Sequence, residues 1–186
     1  MDPGRREYLQ WLGGALAGCV PMAAPAWAQS VAEQASALEK KDRQAVPLPK
    51  VGSVFALPPT VELIDGSTLH TGQWAGRVIV LEYWATWCPF CARQMPHVQA
   101  LYEKEHGRGL EVLALSIDKR PSDIAPFLKT RHYTFPVAWL SPALAKALPK
   151  PAGLPVTIVI GRDGRVKMAD SGELFAEDIA GIAKFL

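Results

Sequence analysis

Trp84-Ala85-Thr86-Trp87-Cys88-Pro89-Phe90-Cys91 directly follows the apolar run at positions 78–81. This order predicts a buried strand that leads into a helix with both cysteines at its start. Pro89 suits the first turn, because the backbone N–H that proline lacks has no partner there in any helix. The unpaired N–H groups and the dipole of a helix N-terminus favour a thiolate on Cys88, and Cys91 follows one turn later. The two cysteines are therefore expected to form a reversible disulfide.

The Cys-x-x-Cys pair has two other interpretations. It could be half of a zinc site, but such a site needs a second pair of ligands. The chain offers only Cys19 and four scattered histidines, which are His70, His97, His106 and His132. The cysteines could also be inert buried thiols. However, a helix that follows a strand begins at the carboxyl edge of a sheet, where reactive sites cluster.

The composition is that of an ordinary globular protein. Of the 186 residues, 49% are hydrophobic, and the formal net charge is +2. This length and apolar content allow one domain with a substantial core. The sequence contains no stripe of lysine and arginine with interleaved aromatic residues, so a nucleic-acid partner is not expected.

Residues 1–28 have the features of an export signal. Arg5-Arg6 precede a short, glycine- and alanine-rich apolar region at 9–20, and residues 26–28 fit a small-x-small cleavage site. The apolar region is too short for a membrane span. The arginine pair resembles a twin-arginine signal, although a Sec signal also carries basic residues at this place.

A second processing site is also conceivable at Cys19. The stretch 16–19 resembles a lipobox, which would lead to cleavage before Cys19 and its acylation, and so to anchoring on a membrane face. Cleavage after Ala28 is the favoured interpretation. Either route places the domain in the periplasm, where cysteine pairs persist oxidised. Residues 29–50 are then a linker, with a marginal helix at 31–43, and the domain spans 51–186.

The hydrophobic pattern predicts alternating strands and helices in this domain. The turn signal Asp65-Gly66 separates two strand-like stretches and indicates a small hairpin. The expected strands are at 61–64, 67–70, 78–84, 110–117, 135–140, 155–160 and 165–169. The expected helices are at 89–105, 121–131, 142–148 and 173–185. This order predicts an α/β fold with a mixed sheet and helices on both faces.

Combined with Trp-Cys-x-x-Cys after the central strand, this order resembles the thioredoxin fold, and more narrowly the exported TlpA/ResA-type thiol–disulfide reductases. The resemblance covers about residues 51–186. Besides residues 84–91, it rests on Asp65-Gly66, Gly76, Met95-Pro96, Phe135-Pro136, Gly153-Leu154-Pro155 and Asp163-Gly164-Arg165. It implies a central mixed β-sheet flanked by helices, with an N-terminal β-hairpin and a central helical insertion.

The cysteines have distinct expected roles. The Cys88 thiolate would attack a client disulfide, and the less exposed Cys91 would resolve the mixed disulfide. Pro89 and Phe90 add no charge to the turn between them, which favours a reducing rather than an oxidising pair. The disulfide itself would be the only redox group, with no other cofactor and no metal.

Three further site residues follow from the resemblance. Pro155 resembles the cis-proline that faces the cysteines, and the backbone of Leu154 could pair with an extended substrate; a plain tight turn is the alternative. Glu82 stands where thioredoxins carry a buried acid and could relay a proton for Cys91, unless it lies on a solvated edge. Gln94 departs from the acid that ResA-type proteins carry at this place.

The aromatic residues beside the cysteines suggest a docking surface. Trp84 and Trp87 are expected to pack around the disulfide, and Trp87 could also contact clients together with Pro89 and Phe90. Met95 and His97 lie close in sequence and allow a Cu(I) interpretation, because soft ligands select that ion. Met95 is better explained as a core residue.

The resemblance implies an enzyme that reduces disulfides of periplasmic proteins, such as those of cytochrome c or copper-site maturation. A membrane electron donor of the DsbD/CcdA type is the expected partner. A Cu(I)-binding chaperone and a disulfide-forming oxidase are the alternatives, and a thiol peroxidase is less favoured.

Overall fold

The computed structural model describes residues 46–186. The expected export signal, Cys19 and the marginal helix at 31–43 lie outside these residues. Within residues 46–186, no helix combines the length and the apolar character that a bilayer crossing requires.

The strands of the described part are β1 (Thr60–Glu62), β2 (Thr68–His70), β3 (Val78–Trp84), β4 (Leu110–Ser116), β5 (Val137–Trp139), β6 (Val156–Ile160) and β7 (Val166–Ser171). The α-helices are α1 (Pro89–Glu105), α2 (Ile124–Arg131), α3 (Pro142–Ala147) and α4 (Ala176–Gly181). Short 3₁₀ turns occupy Thr71–Trp74, His106–Arg108, Pro121–Asp123 and Ile182–Phe185. The expected strands and the cysteine helix are confirmed to within a few residues.

The main sheet has the strand order β5-β4-β3-β6-β7. β3, β4 and β5 are parallel, whereas β6 and β7 are antiparallel to their neighbours. The expected mixed sheet is confirmed. β3 is its central strand and is buried along its whole length, which explains its nearly continuous apolar sequence.

A separate two-stranded sheet precedes the main one. β1 and β2 are antiparallel, with Val61 opposite Leu69. Gly66 adopts a φ of 85°, which a glycine tolerates without steric cost, and the Asp65 carboxylate accepts the Ser67 N–H at 2.9 Å. The Asp65-Gly66 turn therefore forms the hairpin that its sequence predicts.

Alternation along β3 divides the core into two layers. Val80 and Trp84 face α1 and α4, where they join Met95, Val98 and Ile179. Leu81 and Tyr83 face the opposite side, where they join Leu113, Leu148 and Ile158. Glu82 lies on the same face of β3 as Val80 and Trp84, so its carboxyl is directed toward α1.

The C-terminal helix is shorter than the sequence pattern indicates. A helix over 173–185 is expected, but α4 begins at Ala176. The backbone N–H of Leu174 donates to the side-chain oxygen of Gln94 at 2.6 Å, and the N–H of Phe175 donates to Asp178 at 3.1 Å. These tertiary and capping bonds leave 173–175 as a loop that runs past α1.

Candidate active site

The two cysteines lie at the N-terminus of α1. Cys88 is the N-cap residue, Pro89 occupies the first turn, and the Cys91 N–H donates to Cys88 Sγ at 3.3 Å. Both cysteines are free thiols. Cys88 is 4% exposed, whereas Cys91 is completely buried. Cys88 is therefore the more accessible of the two thiols.

Cys91 is strongly disposed to keep its proton. Burial raises the pKa of its thiol, and the hydrogen bond with Cys88 and the charges of Cys88 and Glu82 act in the same direction. A thiol must lose its proton before it attacks a disulfide. Any attack by Cys91 on a disulfide would therefore require a nearby group that accepts this proton.

Glu82 is the buried carboxyl of the site. It is fully buried in β3, between β4 and β6, so the alternative of a solvated sheet edge is wrong. Gln94 Nε2 donates to its Oε1 at 2.6 Å, and Thr157 Oγ1 donates to its Oε2 at 2.8 Å. Burial raises the pKa of Glu82 to about 8, against the lowering effect of the two hydrogen bonds. A carboxyl of this kind can exchange a proton near neutral pH.

Gln94 completes the hydrogen-bond network around Glu82. This residue is fully buried, and its Nε2 also donates to Thr157 Oγ1 at 2.9 Å. Its Oε1 accepts the N–H of Leu174 at 2.6 Å. The sequence shows only that this position is neutral, and neither Thr157 nor Leu174 is singled out by any local pattern.

The Leu154–Pro155 peptide bond is cis, as the resemblance implies. Val156 pairs with Tyr83 near the end of β3, so Pro155 lies at the edge of the sheet where the cysteine loop begins. Pro155 is buried and Leu154 is half-buried. The backbone of Leu154 and Pro155 therefore lies next to the loop that carries the cysteines.

Exposed aromatic side chains surround the cysteine helix and the neighbouring loop. Trp87 is 62% exposed, Phe90 50% and Phe175 63%, and we call these three residues the aromatic rim. The Arg93 guanidinium lies 4.9 Å from the centre of the Phe90 ring and forms two hydrogen bonds with Glu173, at 2.7 and 2.6 Å. Exposed aromatic groups next to a reactive thiol are typical of protein docking surfaces.

Trp84 and Trp87 have different environments. Trp84 is fully buried in the core layer below the cysteines, whereas Trp87 is exposed. Pro89 is exposed on the same loop. Trp84 therefore packs beneath the site, whereas Trp87 lies on the surface beside it.

Asp118 fixes the loop that precedes the cysteines. Its carboxylate accepts the Thr86 N–H at 3.0 Å, the Thr86 hydroxyl at 2.6 Å and the Ser116 hydroxyl at 2.6 Å. Its carbonyl accepts the Trp139 indole N–H at 2.8 Å. Sequence reasoning missed this residue, although the carboxyl ends of the parallel strands β3 and β4 necessarily meet at one edge.

The described residues offer no cluster of metal ligands around the cysteine loop. Among residues 46–186, no group of three or more His, Cys, Asp or Glu side chains is placed to hold a metal ion. Met95 is buried in the core, as expected, whereas His97 is exposed. These two residues therefore lie in different environments despite their closeness in sequence.

The chain is similar to known thiol–disulfide oxidoreductases. The Redoxin family model matches residues 50–183. Thiol-disulfide oxidoreductase ResA of Oceanobacillus iheyensis is 31% identical over 127 residues, which are 68% of this chain and 66% of that protein. ResA of Bacillus cereus is 29% identical over 118 residues, which are 63% of this chain and 68% of that protein. The chain thus spans about two thirds of the length of these relatives.

Solved structures share the fold. A thiol:disulfide interchange protein of the thioredoxin family from Chlorobium tepidum superposes with a TM-score of 0.63 at 22% identity. The match covers 76% of this chain and 97% of that protein. StoA from Bacillus subtilis superposes with a TM-score of 0.58 at 21% identity, over 73% of this chain and 99% of that protein.

Proposed function

This chain belongs to the Redoxin family and, within it, to the TlpA/ResA-type thiol–disulfide oxidoreductases, and we propose that it reduces disulfides of exported client proteins. The asymmetry of the cysteine pair carries the proposal. Cys88 is the N-cap residue of the helix and is 4% exposed, whereas Cys91 is completely buried. Only one of the two thiols can meet a client, and only the other can release it.

The reaction proceeds through two exchanges. The Cys88 thiolate attacks one sulfur of a client disulfide, forms a mixed disulfide and releases the other client sulfur as a thiolate, which takes up a proton. Cys91 then loses its proton and attacks Cys88 Sγ. The Cys88–Cys91 disulfide forms, the second client sulfur leaves, and two electrons have passed to the client. Glu82 is the buried carboxyl available to accept the Cys91 proton.

The charges around the cysteines support the reducing direction. A strongly oxidising pair requires a reduced form that its surroundings stabilise. The turn between the cysteines contributes only Pro89 and Phe90. Arg93 follows Cys91 by two residues on the same helix. Its guanidinium donates hydrogen bonds to both carboxylate oxygens of Glu173. Little uncompensated positive charge is therefore available to a Cys88 thiolate.

The client surface consists of the aromatic rim, Pro89 and the backbone of Leu154. The rim offers apolar contacts, and the strand edge beside Pro155 offers backbone pairing with an extended chain. Clients would be cysteine-containing segments before they acquire haem or copper. Oxidised peptides with a Cys-x-x-Cys-His sequence represent the haem-attachment class.

The features of residues 1–28 support a location in the periplasm. In that compartment the cysteine pair of a reductase must be reduced again after each reaction, which suggests a membrane electron donor of the DsbD/CcdA type. The division into signal (1–28), linker (29–50) and domain (51–186) belongs to the same proposal. Anchoring through Cys19 is the alternative to it, because acylation requires cleavage before Cys19.

Trapping of a mixed disulfide tests the proposal. The Cys91→Ser variant is incubated with an oxidised Cys-x-x-Cys-His peptide and analysed under non-reducing conditions. We expect a covalent adduct on Cys88 that dithiothreitol removes, because the resolving thiol is missing. The matched Cys88→Ser variant should form little adduct, because Cys91 is buried. An absence of adduct with Cys91→Ser, or equal adducts with both variants, contradicts the proposal.

The reduction potential of the pair decides the direction. Equilibration against dithiothreitol or glutathione should give a value near that of thioredoxin, about −270 mV. A value near the oxidising end, about −120 mV, would make the protein a disulfide donor instead.

A further inference from the structure

The side-chain amide of Gln94 uses all of its polar groups inside the protein. Its two N–H groups are directed to Glu82 Oε1 at 2.6 Å and to Thr157 Oγ1 at 2.9 Å. Its oxygen accepts the Leu174 N–H at 2.6 Å. Because Leu174 N–H can only donate, it fixes the orientation of the amide, with the nitrogen toward the carboxyl.

This orientation determines the direction of the other hydrogen bonds. Thr157 Oγ1 receives a hydrogen from Gln94, and its own hydrogen is directed to Glu82 Oε2 at 2.8 Å. Both oxygens of Glu82 are thus acceptors, which is the pattern of a carboxylate. These two hydrogen bonds favour the charged form of Glu82 and so oppose the effect of burial, which is the larger of the two and raises the pKa of this carboxyl.

We propose that Gln94 is a positioning residue for the resolving step: its amide holds Glu82 as a proton acceptor for Cys91. The proposal rests on the proposed function, since it concerns the step in which Cys91 releases the client. Gln94 lies on α1 one turn after Cys91, so the same helix presents the thiol and orients the carboxyl. The hydrogen bonds of the Gln94 side chain go to Glu82, Thr157 and Leu174 and not to either sulfur.

The step balances as a proton transfer followed by thiol exchange. The Cys91 S–H bond breaks, and its proton passes to the Glu82 carboxylate. The Cys91 thiolate attacks Cys88 Sγ, the bond between Cys88 and the client sulfur breaks, and the client thiolate leaves. Gln94 opposes the effect of burial on Glu82, and so keeps the carboxylate available at lower pH than burial alone would allow.

Gln99 is a matched control on the same helix. It is also buried, and its Nε2 donates to Glu103 and Thr134 Oγ1, both at 2.8 Å. Its Oε1 accepts the Thr134 N–H at 2.9 Å. None of these bonds reaches the cysteines or Glu82. A glutamine that is only structural should therefore behave like Gln99.

The test uses the reduced protein and the aromatic disulfide DTNB in stopped flow. Attack by Cys88 releases the first thionitrobenzoate, and resolution by Cys91 releases the second. The two phases are measured across the pH range 5–10 for the wild-type, Gln94→Met and Gln99→Met proteins. We expect Gln94→Met to slow the second phase about tenfold near neutral pH and to move its pH midpoint upward by about one unit. Gln99→Met should leave that midpoint in place.

Two further variants make the outcome specific. In a Glu82→Gln background, Gln94→Met should slow the second phase no further, because the carboxyl that it orients is absent. Gln94→Glu introduces a second carboxyl beside Glu82 and should also move the midpoint upward, since the two groups share a proton. If Gln94→Met does not fold, the Gln94→Glu variant takes its place in the measurement of the midpoint.

Two outcomes would overturn the proposal. One is a midpoint that neither Gln94→Met nor Gln94→Glu displaces. The other is an equal loss of second-phase rate with and without Glu82. A wild-type protein without a first phase instead contradicts the proposed function, because Cys88 would then not be the attacking thiol.

Discussion

Thr157 and Glu82 stand opposite each other in the antiparallel pair of β6 and β3, and the Thr157 hydroxyl donates to Glu82 Oε2 at 2.8 Å. The hydrogen bond joins two completely buried polar groups in the interior of the sheet. Because both groups are completely buried, neither can form a hydrogen bond with water instead. The register between β6 and β3 therefore places the hydroxyl that binds the carboxyl of the site.

The Thr157→Val variant removes this hydroxyl with little change in shape. It leaves one N–H of Gln94 and one oxygen of Glu82 without a partner. We expect a loss of about 1–3 kcal/mol in the free energy of unfolding by urea. Thr130→Val is the control, because Thr130 is exposed and its hydroxyl bonds only to the Pro126 carbonyl. A cost no larger than that of the control would show that the pair contributes nothing.

Glu82 should make stability depend on pH. Its pKa is about 8 in the folded protein against an ordinary value of 4.5, so between these values the folded state holds a proton that the unfolded chain has released. The stabilising contribution of this proton is complete below about pH 4.5 and is lost as the pH rises through 8.

The measurement is urea unfolding of the reduced protein across this pH range. Relative to Glu82→Gln, the wild type should lose up to about 5 kcal/mol of unfolding free energy from pH 4 to pH 9. Parallel pH curves for the two proteins would mean that Glu82 ionises at its ordinary pH.

Asp118 should stabilise the loop that presents Cys88. The Asp118→Ala variant leaves the N–H and hydroxyl of Thr86, and the hydroxyl of Ser116, without their acceptor. We expect a loss of about 2–4 kcal/mol in unfolding free energy and a slower attack by Cys88 on DTNB. Asp123→Ala removes a carboxylate from an exposed pair with Arg120 and should cost less than about 1 kcal/mol. Equal effects of the two variants would contradict the role of Asp118.

The aromatic rim should act on protein clients and not on small disulfides. Trp87→Ala and Phe90→Ala should each raise the KM for an oxidised peptide client about tenfold, because exposed aromatic anchors supply much of the binding energy at such surfaces. The rate with DTNB should change little. Val54→Ala is the control, since Val54 is 70% exposed and pairs with Arg165 just before β7. If Val54→Ala changes the KM for the peptide and neither Trp87→Ala nor Phe90→Ala does, the aromatic rim is not the docking surface.

Much of the fold could be predicted from local sequence. The strand at 78–84 and the helix at 89–105 occur with those bounds, because a continuous apolar run, a proline and two cysteines mark the transition between them. The hairpin at Asp65-Gly66 follows from a turn that its own residues specify. Such features depend on neighbours in the chain and are visible without the tertiary structure.

The network around Glu82 could not be predicted in this way. Thr157 is 75 residues from Glu82, and the N–H of Leu174 is 80 residues from Gln94. Their meeting depends on the antiparallel placement of β6 beside β3 and on the path of the chain before α4. The same contact explains the error at the C-terminal helix, where the periodicity from 173 indicates a helix but Leu174 N–H is directed to Gln94.

The chain on either side of β1 has a consequence for the solubility of the folded protein. Gly52 and Ser53 exchange backbone hydrogen bonds with Val166 at the start of β7, and Ile64 N–H donates to Val137 of β5. The N-terminal part thus covers sections of both outer strands, whose open edges would otherwise be templates for aggregation. A chain shortened to begin after residue 57 should therefore be less soluble, even though it retains every residue of the cysteine site.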